Sequence, residues 1–241
     1  MLRLLLLDVP AALRRDYQLF WLATVIFFLS VVLAFILVQF NSQLLYLAYD
    51  GQQIADFTRM FDPYWHSLLI EHRSNWSQLV LYIINNNWVA IQLFLFGIVF
   101  GVGSLLFLAY TGFSLGLMLG YLSASGVNEV LWSSIMTHSS FESLATIIAA
   151  IAGMKWGLSL GLLFDNSRRH VFGLRFAQSL ILLLNAMVFV VCAAIIESFW
   201  SFGVDTGPQI KYLTGAMSWT VLISFLFFYG RAAGKHENGR L

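Results

Sequence analysis

Charged side chains are few in this sequence. They make up 10% of 241 residues, against 59% hydrophobic residues and a mean hydropathy of +0.79, a balance that excludes a water-soluble globular domain. Neither sign is in excess: 13 Lys and Arg face 12 Asp and Glu, leaving a net charge of +1 and no basic surface for gripping phosphate backbones, so nucleic acid is excluded as a partner. The single cysteine, Cys192, rules out an intrachain disulfide or a thiolate metal cluster, and its apolar neighbours mark it as a small packed hydrophobe. All three prolines, Pro10, Pro63 and Pro208, fall outside the long apolar runs. No repeat, heptad pattern or low-complexity linker divides the chain, and residues 1–241 read as one membrane domain. H-E-x-x-H and phosphate-cradling loops are also missing, and no residue pattern asks for a cofactor.

What the sequence does have is apolar runs of membrane length. A bilayer core of about 30 Å needs roughly 20 helical residues. Residues 17–40, 88–110 and 176–196 contain no charge and predict three spans. Residues 143–164, interrupted only by Lys155, and 213–230 predict two more. The stretch 112–126 is short for a crossing and is compatible with a re-entrant hairpin.

Charge placement decides between these readings. Nine of the 13 basic residues lie in three clusters: Arg3, Arg14 and Arg15; Arg168, Arg169 and Arg175; and Arg231, Lys235 and Arg240. All three reach the cytoplasmic side, as the positive-inside rule requires, only if 112–126 crosses. The expected fold is therefore all-α, a polytopic integral membrane helix bundle of about six transmembrane helices with both termini inside. Asp8 and Pro10 break the apolar start of the chain, which reads as a short interfacial segment and not a cleaved signal.

Residues 41–79 then lie outside. They carry Asp50, Asp56, Asp62 and Glu71 against Arg59 and Arg73, and recurring Leu, Phe, Tyr and Trp predict an amphipathic helix on the membrane surface, interrupted at Asp62-Pro63. His66, Glu71 and His72 lack an established metal-ligand spacing, and a solvated helix accounts for them, so no metal site is assigned.

Glycines recur four residues apart: Gly97 and Gly101; Gly112, Gly116 and Gly120; Gly153, Gly157 and Gly161. Such stripes let helix backbones approach closely where lipid supplies no hydrophobic drive. Packing among spans two, three and four accounts for them; a homo-oligomer interface is the alternative.

Polar groups inside apolar spans are costly and point to function. Glu129, Glu142 and Lys155 are the charged residues between 74 and 164. His138 and Glu142, four apart, share a helix face. The topology places this pair, Glu197 and the Asn85, Asn86, Asn87 run near the outer membrane face, as one polar cluster. It could bind a cation or a proton, or it could tie the bundle together through interhelical hydrogen bonds. Lys155 is expected to snorkel toward the cytoplasm.

Gly112-Phe113-Ser114-Leu115-Gly116 spells the G-x-S-x-G of hydrolase nucleophile elbows. The elbow needs a strand before the serine, whereas this stretch opens a glycine-striped helix, and its only available base, His138, falls at the opposite membrane face. No catalytic residue is assigned and an enzyme is not expected.

From about residue 82 to 201, half of the chain, the order of features resembles the stage II sporulation protein M family of polytopic bacterial membrane proteins. Asn85 and Asn86 open a glycine-rich span; His138 and Glu142 open a later one that continues with Gly153 and Gly161; Glu197 and Phe199 form a Glu-x-Phe near the end of the next. The chain departs from the family pattern at His138-Ser139, where His-Gly is usual, and at Thr111-Gly112, where Asn-Gly is usual. The resemblance implies a multi-pass integral protein of a bacterial cytoplasmic membrane, whose best-studied relatives act in a membrane complex with cell-wall hydrolases during engulfment. Most relatives come from bacteria that make no spores, so the sporulation role does not transfer.

Two functional expectations follow. The first is a non-enzymatic scaffold or assembly component of a membrane complex, with the lipid bilayer and other membrane proteins as partners. The second is a transporter or channel component using the polar cluster.

Overall fold

The computed structural model describes residues 9–62, 75–201 and 206–229. His66, Glu71 and His72, the Pro63 break, Arg3 and the basic cluster of Arg231, Lys235 and Arg240 lie outside the described residues. Among those described, the structure is helical throughout with no strand: α1 Val9–Arg15, α2 Tyr17–Phe40, α3 Gly51–Phe61, α4 Asn75–Leu95, α5 Val102–Ala124, α6 Asn128–Ser159, α7 Arg169–Ile196 and α8 Pro208–Phe228. Tight turns prolong α4 over Phe96–Ile98 and α6 over Leu160–Phe164, and a π-helical segment, Glu197–Ser201, prolongs α7. Six helices, α2 and α4 to α8 with these extensions, are long and apolar enough to cross a membrane.

The number of crossings agrees with the sequence reading, but several boundaries move. The break between the second and third spans is not at residue 111 but at 99–101, where Phe100 (φ 48°) and Gly101 (φ 81°) take left-handed backbone and the Gly101 N–H closes onto the Gly97 carbonyl at 2.8 Å. The short stretch 112–126 is thus the second half of a full crossing, Val102–Ala124. The fourth span begins at Asn128 and not at 143, the fifth runs from Arg169 to Ser201, and the sixth starts at Pro208, with Lys211 buried in its first turn. Hydropathy marks what lipid tolerates, whereas a helix continues through polar residues wherever neighbouring helices cover them.

α6 runs through the middle of the bundle. Its buried Ile148, Ile151 and Met154 meet Leu182, Ala186 and Phe189 of α7 and Leu93 and Phe94 of α4 in one core. Trp156 anchors the contact with α4, its indole N–H donating to the Phe94 carbonyl at 2.8 Å.

The glycines account for how closely these helices lie. A Cβ on Gly153 or Gly157 would collide with the backbone of Leu93 or of Gly97 and Gly101, so spans two and four touch main chain to main chain. Gly112, Gly116 and Gly120 do not face the second or fourth span, as expected from sequence, but α2, against Phe27, Val31, Ala34 and Phe35. Gly161 faces open space within the Leu160–Phe164 turn and is no packing residue. Gly215, outside the stripes, packs against Met136 instead.

The segment after α2 is not a continuous surface helix. Asn41 accepts from the Gln43 N–H and starts a short 3-10 turn, Ser42–Leu47; Asp50 and Gln53 then form a capping box that opens α3. Leu45, Ile54 and Phe61 are buried in a second apolar cluster with Val38, Leu117, Leu122 and Leu131, so the segment folds onto the ends of α2, α5 and α6. α3 ends at Phe61 with Asp62 as its cap, where the sequence predicts an interruption.

Candidate functional site

The polar cluster forms where α4, α6 and the π segment after α7 meet. Each partner reaches it because helical spacing aims it inward: His138 and Glu142 are one turn apart on α6, and Asn86 faces them from α4. The Asn86 side-chain amide donates to Glu142 Oε1 at 2.8 Å, and Asn85 donates to Asn86 Oδ1 at 3.3 Å. His138 Nε2 stands 3.8 Å from Glu142 Oε2, facing it across a gap too wide for a hydrogen bond. On the other side of the ring, His138 Nδ1 lies 2.9 Å from Ser201 Oγ, which is 2.5 Å from Thr137 Oγ1, and the Thr137 hydroxyl is 2.7 Å from the Ser134 carbonyl.

This row closes with two proton arrangements. In one, Nδ1–H donates to Ser201, Ser201 to Thr137 and Thr137 to the Ser134 carbonyl, leaving Nε2 bare toward Glu142. In the other, Thr137 donates to Ser201 and Ser201 to Nδ1, and Nε2–H points at the carboxylate. A histidine between a carboxylate and a hydroxyl pair can therefore exchange protons by shifting tautomer. Burial is graded along the row. His138 and Thr137 are buried, Glu142 is partly exposed, and Asn85 is exposed on the outside of α4.

Asn85, Asn86, His138 and Glu142 are thus brought together, while the residue of the π segment that reaches His138 is Ser201, four positions beyond Glu197. Asn86 lies ~16 Å along α4 from Asn75, and Glu142 ~21 Å along α6 from Asn128. Sequence reading missed Thr137 and Ser201, since small hydroxyls on apolar helices are common. The available signal was their position, beside His138 and one turn after Glu197. Asn87 Oδ1 and the hydroxyls of Ser134, Ser140 and Ser198, in these same elements, are buried without hydrogen-bond partners among the described residues.

Two other expectations are settled by geometry. Ser114 lies within α5, where its hydroxyl donates to the Tyr110 carbonyl at 2.9 Å, so the G-x-S-x-G forms no elbow. Lys155 does not simply snorkel; it pairs with Asp16. Among the described residues no group of three His, Cys, Asp or Glu could hold a metal ion.

The profile of the Stage II sporulation protein M family matches residues 23–202, which include every member of the polar row. The chain belongs to the stage II sporulation protein M family. An uncharacterized protein of Methanocaldococcus jannaschii is 31% identical over 120 residues, 48% of this chain and 67% of that protein. No solved structure matches. In this stage II sporulation protein M family chain, the matched region ends just past Ser201, so the π segment that closes onto His138 lies within it.

Proposed function

We propose that this chain is a non-enzymatic membrane protein that assembles a multi-protein complex by presenting a polar position on α4 to a partner's transmembrane helix. The observation that carries this reading is Asn85. It is exposed in the apolar part of α4, among the exposed Leu81, Ile84 and Trp88, and its side chain makes one long hydrogen bond among the described residues, to Asn86. An uncovered amide facing hydrocarbon is unfavourable, and a partner helix carrying its own Asn, Gln, Ser or Thr would satisfy it. With both termini in the cytoplasm, the outer segment and the basic inner loop at 165–175 offer further contact surfaces on the two membrane faces.

The test is site-specific photocrosslinking in native membranes. Probes at Leu81 and Trp88 of α4 should yield an adduct of defined mass that a probe at Val221 of α8 does not, and Asn85→Leu should reduce it. Equal adducts from both faces would overturn the reading.

A second reading, a proton- or cation-linked transport component, is favoured by the row from Glu142 through His138 to Thr137, which accepts two proton arrangements. Proteoliposome flux that Glu142→Gln abolishes in a folded protein would favour it over assembly.

A further inference from the structure

Glu142 carries a charge that the described residues leave unmet. Its side chain is 39% exposed, although it stands well inside the fourth span, ~21 Å along α6 from Asn128. Asn86 occupies one carboxylate oxygen, Oε1, at 2.8 Å. The other, Oε2, accepts no hydrogen bond among the described residues. His138 Nε2 faces it from 3.8 Å, beyond bonding range, and both proton arrangements of the row leave that ring neutral. Unlike Asn87 Oδ1 and the hydroxyls of Ser134 and Ser140, Oε2 is not sealed from the surface, so a group outside the bundle can reach it.

Among the described residues no Lys or Arg pairs with this carboxylate. Lys155 stands ~20 Å further along α6 and is held by Asp16. α8 runs alongside α6, with Gly215 against Met136 and the Trp219 indole donating to Ser139, which sets Lys211 ~15 Å short of Glu142 along the pair. A charge facing hydrocarbon is costly, and a cation that removes the cost has to come from outside the bundle. Depth decides what can carry it. A lysine or arginine near the end of a neighbouring helix snorkels to water, whereas one at mid-span cannot and needs a carboxylate at its own level. The exposed Asn85 is two hydrogen bonds from Glu142, by way of Asn86, so one helix laid along α4 covers the amide and the carboxylate together.

We infer that the partner helix seated on α4 carries a lysine or arginine near its midpoint, paired with Glu142, beside the polar group that satisfies Asn85. The pairing rests on the assembly reading above and adds to it the charge that selects the partner. Mutual need makes the selection sharp: the partner's cation has no other counter-charge at that depth, and neither does Glu142.

The test uses the full chain in phosphatidylcholine nanodiscs and designed leucine–alanine helices of about 23 residues, identical except for lysine, norleucine or asparagine at the midpoint. Norleucine keeps the lysine stem without its charge. Energy transfer from labelled peptide to labelled chain gives the affinities. The lysine peptide should bind about tenfold tighter than the norleucine peptide and about threefold tighter than the asparagine peptide. Glu142→Gln should abolish the lysine advantage and leave asparagine-peptide binding within about twofold of wild type. The comparison of peptides on wild type stands even should Glu142→Gln fail to fold. Lysine binding no tighter than asparagine binding would overturn the pairing and leave the assembly reading intact, whereas binding of neither above norleucine would overturn both. A lysine advantage that survives Glu142→Gln, or a wild-type homodimer that Glu142→Gln dissolves, would also overturn the pairing.

Discussion

Lys155 Nζ lies 2.5 Å from Asp16 Oδ2, joining the central helix α6 to the residue that immediately precedes the first span. Both side chains are largely covered, at 10% and 21% exposure, so each charge depends on the other. Asp16→Asn should leave the ammonium without its counter-charge and cost about 3 kcal/mol. Adding Lys155→Met should recover most of that loss. Thermal unfolding of the two single variants and the double variant in detergent measures the coupling; additive losses would show that the pair contributes no stability.

Gly157 and Gly161 look alike in sequence and differ in place. A Cβ at Gly157 meets the backbone at Gly97 and Gly101, whereas one at Gly161 meets nothing. Gly157→Ala should lower stability by about 1–3 kcal/mol through overpacking, while Gly161→Ala should leave it within about 0.5 kcal/mol of wild type. Folded yield and Tm in detergent distinguish the two.

The Asn86–Glu142 bond predicts an asymmetry between two substitutions. Glu142→Gln keeps an acceptor oxygen for Asn86 and should unfold close to wild type. Asn86→Leu removes the donor and should cost about 1 kcal/mol. If Glu142→Gln is the more damaging of the two, the negative charge itself supports the fold.

The orientation is testable at the turn between α6 and α7. On a background with Cys192 replaced, a cysteine at Ser167 should resist a membrane-impermeant reagent in intact cells and react once the cells are opened. A cysteine at Ser125, between α5 and α6, should react in intact cells. The reverse pattern would invert the bundle.

The sequence by itself determined the class, the number of crossings, the family and the placement of His138 and Glu142 on one helix face. These rest on local quantities: apolar length, charge placement and the four-residue helical repeat, each written along the chain. Only the tertiary structure decided where the second span ends, since Gly101 and Phe100 turn the chain inside a continuous apolar run that hydropathy cannot divide. It also decided that Gly112, Gly116 and Gly120 face α2, that Lys155 meets Asp16, and that Ser201 reaches His138. Each of these pairs residues far apart in sequence. The side chain that covers a polar or small residue in a membrane bundle is set by helix rotation and packing, which no stretch of sequence records on its own.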